Sequence, residues 1–124
     1  MGERLPARAR LNEPAVYQRA LRSRPQAKGA WCRLFIAAKA AQTAAQLGMV
    51  LPKKLLRTSI RRNAAKRHVR ESFRLHAQAL VGCDVVVQVI ANDRALSPAD
   101  WARLLRADLD SMWSRIVPKT ALSP

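Results

Sequence analysis

Seven consecutive residues, Asp84-Val85-Val86-Val87-Gln88-Val89-Ile90, constrain this chain more than any others. Side chains branched at Cβ favour extended backbone, and a nearly continuous apolar run leaves no face to offer water. The segment therefore predicts an interior strand with both faces covered. A chain of 124 residues built around such a strand has room for one core and one domain. Hydrophobic residues make up 49% of it, enough to fold and too many for a disordered basic tail.

The remaining elements follow from periodicity and caps. Asn12-Glu13-Pro14 opens a short helix that runs to about Leu21, with Asn as N-cap and Pro in the first turn. Arg22–Gly29, with Pro25 and Gly29, reads as a loop. Trp31–Ala38 alternates with period two: Cys32, Leu34 and Ile36 make an aliphatic core face, and Trp31, Arg33 and Phe35 an aromatic and cationic one. Lys39–Gln46 is rich in Ala and Gln and fits a helical turn or a long hairpin loop equally well. Leu47–Leu51, closed by Pro52, is a second strand, expected to pair with the first as a hairpin. A helix is predicted from about Ser59 to Leu80, with Gly82 at the C-cap position. Ser97-Pro98-Ala99-Asp100 starts the last helix, whose Trp101, Leu105, Leu109, Met112 and Ile116 share one face. The order α-β-β-α-β-α, with helices on one face of the sheet, is a single-domain α+β sandwich.

Charge is unevenly distributed over this frame. The chain carries 23 Lys and Arg against 8 Asp and Glu, a net charge of +15. Residues 1–52 hold nine basic and two acidic side chains; residues 53–74 hold nine basic residues against Glu71 alone; residues 75–124 hold five of each. A folded domain so charged repels itself unless an anionic partner compensates. The first three fifths therefore face the partner, and the neutral remainder is scaffold.

The stretch from Arg61 to Arg74 locates that partner surface. With Ala65 at zero and about 100° per residue, Ala65, His76, Val69, Leu80 and Phe73 fall in an arc of about 80° that predicts the buried stripe. Asn63, Lys66, Arg67, Arg70 and Arg74 fall between about 100° and 200°, one polar ridge with Glu71 outside it. Like charges at i,i+4 destabilise an isolated helix, whereas a solvated helix face normally mixes signs. Arg forks and an Asn amide suit phosphate oxygens and ribose. A helix lying on a membrane needs bulkier apolar anchors than this stripe provides, and no apolar stretch reaches the roughly 18–20 residues that span a bilayer. Reading a DNA groove calls for short polar side chains among the cations, whereas this ridge is nearly all long ones. Trp31, Arg33 and Phe35, with Tyr17 from the first helix, add stacking surfaces for unpaired bases. Single-stranded or structured RNA is the expected ligand.

Nothing in the chain assembles an active site. His68 and His76 read as structural, and the acids Asp84, Asp93, Asp100, Asp108 and Asp110 lie in the neutral half, away from the basic face. Cys32 and Cys83 lack ligand spacing with either His and read as buried reduced thiols, which points to the cytoplasm. Met1–Leu11 is charged with no apolar segment after it, unlike a secretory signal. A structural RNA-binding protein of ribosomal type, or a DNA-associated basic domain, fits the charge pattern as an alternative.

The run Lys53-Lys54, then Arg62-Asn63-x-x-Lys66-Arg67-x-x-Arg70-Glu71-x-Phe73-Arg74, resembles the bacterial ribonuclease P protein component. Arg10-Leu11 before Tyr17, Leu47-Gly48 before the Lys pair, and Asp84 opening a Val-rich strand follow in the family's order. The likeness spans roughly residues 10–115. It departs from the family at Ala64, where a second Arg is usual, at Leu56, usually small, at Tyr17, more often Phe, and at Ile90, often basic.

The resemblance implies an α-β sandwich with a left-handed βαβ crossover. It also implies a non-catalytic protein subunit, bound one to one to an RNA that removes the 5′ leader of precursor tRNA with Mg²⁺ held mainly by the RNA. Carried over by position and joined to the ridge, Arg61, Arg62, Asn63, Lys66, Arg67, Arg70 and Arg74 are the expected contacts to the catalytic RNA. Tyr17, Trp31, Arg33, Phe35, Lys53 and Lys54 are those to the leader. The expected domain spans residues 10–117, between a flexible basic N-terminus (1–9) and a C-terminal tail (118–124).

Overall fold

The structure, a computed structural model, describes residues 14–38 and 43–116. The expected flexible N-terminus, the C-terminal tail, the Asn12 cap and residues 39–42 of the ambiguous Lys39–Gln46 stretch lie outside the described residues. Among these described residues eight segments follow in order: α1 (Pro14–Arg22), β1 (Ala27–Lys28), β2 (Cys32–Ala38), β3 (Gln46–Val50), α2 (Ser59–His76), a 3₁₀ turn (Ala77–Leu80), β4 (Cys83–Val89) and α3 (Pro98–Trp113). The fold is the expected α+β sandwich on one four-stranded sheet. Among the described residues no helix is long and apolar enough to cross a membrane.

The sheet order is β1-β2-β4-β3. β2 and β3 do not form the expected hairpin; β4 lies between them, antiparallel to β2 (Leu34 opposite Val87) and parallel to β3 (Met49 opposite Val87). The reason lies in β4 itself. Val85, Val87 and Val89 are fully buried and Val86 is 1% exposed, so this strand gains most from the centre of the sheet, where both edges are paired and both faces covered. A parallel β3–β4 pair needs a crossover, and α2 supplies it. The expected loop Arg22–Gly29 also contains a short strand: Ala27 and Lys28 pair antiparallel with Leu34 and Arg33.

Side-chain alternation divides the core. Leu34, Val85, Val87 and Val89 join Ala65, Val69 and Phe73 of α2 and Trp101, Leu105, Leu109 and Met112 of α3 in the main cluster. Each large apolar side chain so buried contributes about 1.5–3 kcal/mol. Phe35 and Val86 point the other way, where Ala20 of α1 covers them and Tyr17 and Val50 pack alongside. The helices are therefore not all on one face, as the sequence pattern suggested: α1 takes the face opposite α2 and α3. Ser97 caps α3 by accepting from the Asp100 backbone N–H at 3.1 Å, with Pro98 at the first position, as expected.

Two long-range contacts pin the layers. Asp108 of α3 accepts backbone hydrogen bonds from Trp31 (2.9 Å) and Cys32 (3.2 Å), fixing the β1–β2 turn. Its carboxylate fills the space where a Cβ on Gly29 would stand, so only glycine fits there. On the opposite face the Tyr17 ring lies over Gly48, 2.6 Å from where a Cβ would be. Cys32 and Cys83 are both buried thiols, not joined in a disulfide. Burial and the neighbouring Asp108 carboxylate push the Cys32 thiol far up, so it stays protonated.

Candidate nucleic-acid interface

Thr58 begins α2 with extended backbone, and its hydroxyl accepts from the Arg61 N–H at 3.3 Å. Ala65, Val69, Ser72 and Phe73 form the buried stripe, and the small Ala65 lets the helix approach the core closely. His76 is half-buried and stacks on Trp113 with ring centroids 5.5 Å apart. Gly82, at φ 86°, takes the left-handed conformation expected where the helical segment turns into β4.

With its inner stripe fixed, α2 presents the predicted ridge outward. Asn63, Arg67 and Arg74 are exposed, and Lys66 and Arg70 are half-exposed. The flank is therefore neither scattered around the helix nor packed into the body. It is not wholly free of acid, however. Arg74 donates to both carboxylate oxygens of Glu71, at 2.6 and 3.2 Å, and this contact holds the Glu71 carboxyl below its usual range. The i,i+3 reach across the ridge's border is what the helical-wheel arc did not capture.

Arg61 and Arg62, expected with the ridge cations, are turned toward the protein. The Arg61 guanidinium donates to Asn92 Oδ1 (2.9 Å), to the Asp93 carbonyl (3.2 Å) and to the Leu96 carbonyl, and lies 5.8 Å from the centre of the Trp101 ring. Arg62 donates to the Leu56 carbonyl at 2.8 Å. The sequence held a signal for this: at about 100° per residue the two fall near 320° and 60°, one beside the buried arc and one within it. Arg61 thus clamps the β4–α3 connection to the start of α2.

Behind the ridge, α2 is locked to α3 by a polar seam. Trp113 Nε1 donates to Ser72 Oγ at 2.7 Å, the Ser72 hydroxyl donates to Asp110, and Arg106 pairs with Asp110 at 3.0 Å. His68 sits beside this seam. Burial, and then Arg106, Arg67 and Arg103, push its imidazole below the ordinary histidine range, with Asp110 opposing. The seam was not anticipated, because Ser72 and Asp110 are 38 positions apart and no local pattern joins them.

The residues expected to contact single-stranded RNA are partly brought together. Tyr17 packs on the Phe35 and Val86 cluster. Arg33 lies on the same face of β2 as Phe35, opposite Gln88 of β4 and Lys28 of β1. Phe35 is only 3% exposed, so its ring is the floor beneath α1 rather than an open stacking surface. Burial raises the Tyr17 hydroxyl above its ordinary range, against a hydrogen bond with the Met49 backbone. Trp31 leaves the group altogether. It precedes the strand, its N–H is tied to Asp108, and its side chain packs against the main core. Lys53 and Lys54 are exposed in the turn that follows β3.

The family model for ribonuclease P matches residues 5–117. The ribonuclease P protein component of Bordetella avium is 38% identical over 116 residues, covering 90% of this chain and 94% of its own. That of Nitrosomonas eutropha is 36% identical over 101 residues, 81% of each chain. Among solved structures, the RNase P protein of Thermotoga maritima aligns with a TM-score of 0.66 at 23% identity over 86% of this chain and 99% of its own. The RNase P protein of Staphylococcus aureus gives a TM-score of 0.66 at 20% identity, over 84% of this chain and 94% of the other. By sequence along nearly its whole length, and by a sheet and helices arranged as in those structures, this chain belongs to the ribonuclease P protein family.

Proposed function

We propose that this chain is the protein subunit of ribonuclease P and binds the catalytic RNA through the outward flank of α2. Asn63, Lys66, Arg67 and Arg70 form that contact, with Arg74 at its edge and the Arg62 donors not given to Leu56 beside it. Arg61 is a clamp within the protein and has no part in it. The 5′ leader of precursor tRNA lies along the α1 side of the sheet, where Arg33 supplies charge, Tyr17 a stacking edge and Phe35 the floor beneath it. Lys53 and Lys54 contact leader phosphates from the turn after β3. The observation that carries the reading is the outward array of cations on a helix whose other side is fully committed to the core. Such an array displaces counterions from a polyanion, and its Arg forks match phosphate geometry.

Cleavage belongs to the RNA in this reading. Among the described residues no group of three or more His, Cys, Asp or Glu gathers to hold a metal. The carboxylates near the interface are engaged, Glu71 by Arg74 and Asp110 by Ser72 and Arg106. These residues do not suit a protein-held Mg²⁺, and the reading puts the ion on RNA phosphates. The protein's part is to neutralise phosphate repulsion and hold the leader, in a cytoplasmic complex of one protein and one RNA. At low Mg²⁺ the purified chain should restore leader removal by its cognate catalytic RNA and cleave nothing alone. Absence of stimulation rejects the proposal.

A further inference from the structure

β3 and β4 run parallel, so their carboxyl ends, and the connections leaving them, emerge at one edge of the sheet. In open sheets with parallel strands this edge is where ligands settle. Here it holds a cavity of about 240 Å³, lined by Leu55, Arg57, Thr58, Arg61, Asn92 and Arg94. The lining contains three guanidinium groups and no carboxylate. Arg61 is immobilised by Asn92 and the Asp93 and Leu96 carbonyls, and Asn92 Nδ2 is tied to the Leu55 carbonyl at 3.3 Å, so the walls are set before any ligand arrives. The nearest acid, Asp93, accepts from the Ala95 N–H at 2.9 Å. Arg57 and Arg94 are exposed at the rim, and neither forms an ion pair among the described residues.

We infer that this cavity takes one unpaired nucleotide of the catalytic RNA, its base against Leu55 and the guanidinium planes, its phosphate between Arg57 and Arg94. The inference rests on the functional reading above and adds a contact separate from both the α2 ridge and the leader face. The chemistry selects the ligand. An apolar floor with cationic walls accepts a base by stacking, as guanidinium planes do with splayed bases. Two free Arg forks at the mouth match the phosphate that such a base carries with it. The cavity lies at the start of α2, the helix whose outward flank carries the ridge.

The test is a titration of the catalytic RNA, across a salt series, with the wild-type chain, with Arg57→Ala/Arg94→Ala, and with Lys66→Ala/Arg67→Ala as a ridge control. The cavity variant should bind about tenfold more weakly near physiological salt, with a salt dependence flatter by about two counterions. In base-specific chemical probing, one unpaired nucleotide should be protected by the wild-type chain and reactive with the cavity variant. Arg57→Lys/Arg94→Lys should keep the salt dependence and lose that protection, because an ammonium holds phosphate but does not stack. Both sites are exposed, and circular dichroism checks that the variants fold. Wild-type affinity and slope in the cavity variant, alongside a weakened ridge control, overturn the cavity and leave the functional reading intact. Failure of the wild-type chain to bind the catalytic RNA overturns that reading itself. A cavity variant that loses affinity for isolated precursor tRNA instead overturns the assignment to the catalytic RNA.

Discussion

α2 and α3 lie side by side against the same sheet face, yet they manage charge in opposite ways. α3 pairs its arginines with its own acids, Arg103 with Asp100 and Arg106 with Asp110, and gives Asp108 to the β1–β2 turn. α2 carries six basic residues and one acid, Glu71, which Arg74 holds. A helix that serves only the fold gains from internal pairing, if modestly. A helix that leaves its cations outward and unbalanced gives up that gain and is stabilised when a polyanion arrives. The contrast also runs within α2, where Arg61 is spent on three acceptors of the body while Arg67, six residues on, is exposed.

The contrast breaks most visibly where scaffold is removed. Trp101→Ala empties a fully buried site and removes the Nε1 hydrogen bond to the Ala91 carbonyl; it should cost about 3–5 kcal/mol in urea unfolding. RNA bound per folded molecule should stay constant. Arg61→Ala should behave like α3 rather than like the ridge: a loss of about 1.5–3 kcal/mol, with the salt dependence of RNA binding unchanged. If that dependence falls while stability holds, Arg61 pairs with phosphate rather than clamping the fold, and the division within α2 is wrong.

Lys66→Ala/Arg67→Ala should do the reverse, leaving stability within about 0.5 kcal/mol and flattening the salt dependence by about two counterions. An unchanged slope means that the flank faces only solvent. The smallest expected effect lies at the seam between the two helices. His68 has a lowered folded pKa, so the unfolded chain binds its proton more readily and the contribution to stability is fully present above the unfolded value. That contribution falls away as pH drops from about 6.5. The urea midpoint should therefore decline more steeply between about pH 7 and pH 5 in the wild type than in His68→Gln. Equal slopes would place the acid sensitivity elsewhere.

Local chemistry made much of this legible. The 3.6-residue period fixed which side of α2 is buried, and Ala65, Val69 and Phe73 are all inside. The Ser97-Pro98 start and the apolar stripe of α3 follow from rules that act within one turn. Alternation in β2 put Leu34 and Phe35 on opposite faces, but it could not say that α1 would cover the second one. Trp31 was misassigned because alternation was extended one residue past the strand's start, where the backbone answers to Asp108 instead.

The sequence by itself determined most of the elements, the burial of both faces of the valine strand and the outward flank of cations, because each depends on neighbours within a few residues. Tertiary structure alone decided that β4 separates β2 from β3, that Arg61 is clamped rather than offered, and that Arg57 and Arg94 meet at one cavity. Strand order and side-chain partners are settled by competition among distant segments for burial and hydrogen bonds, and no local period records which segment wins.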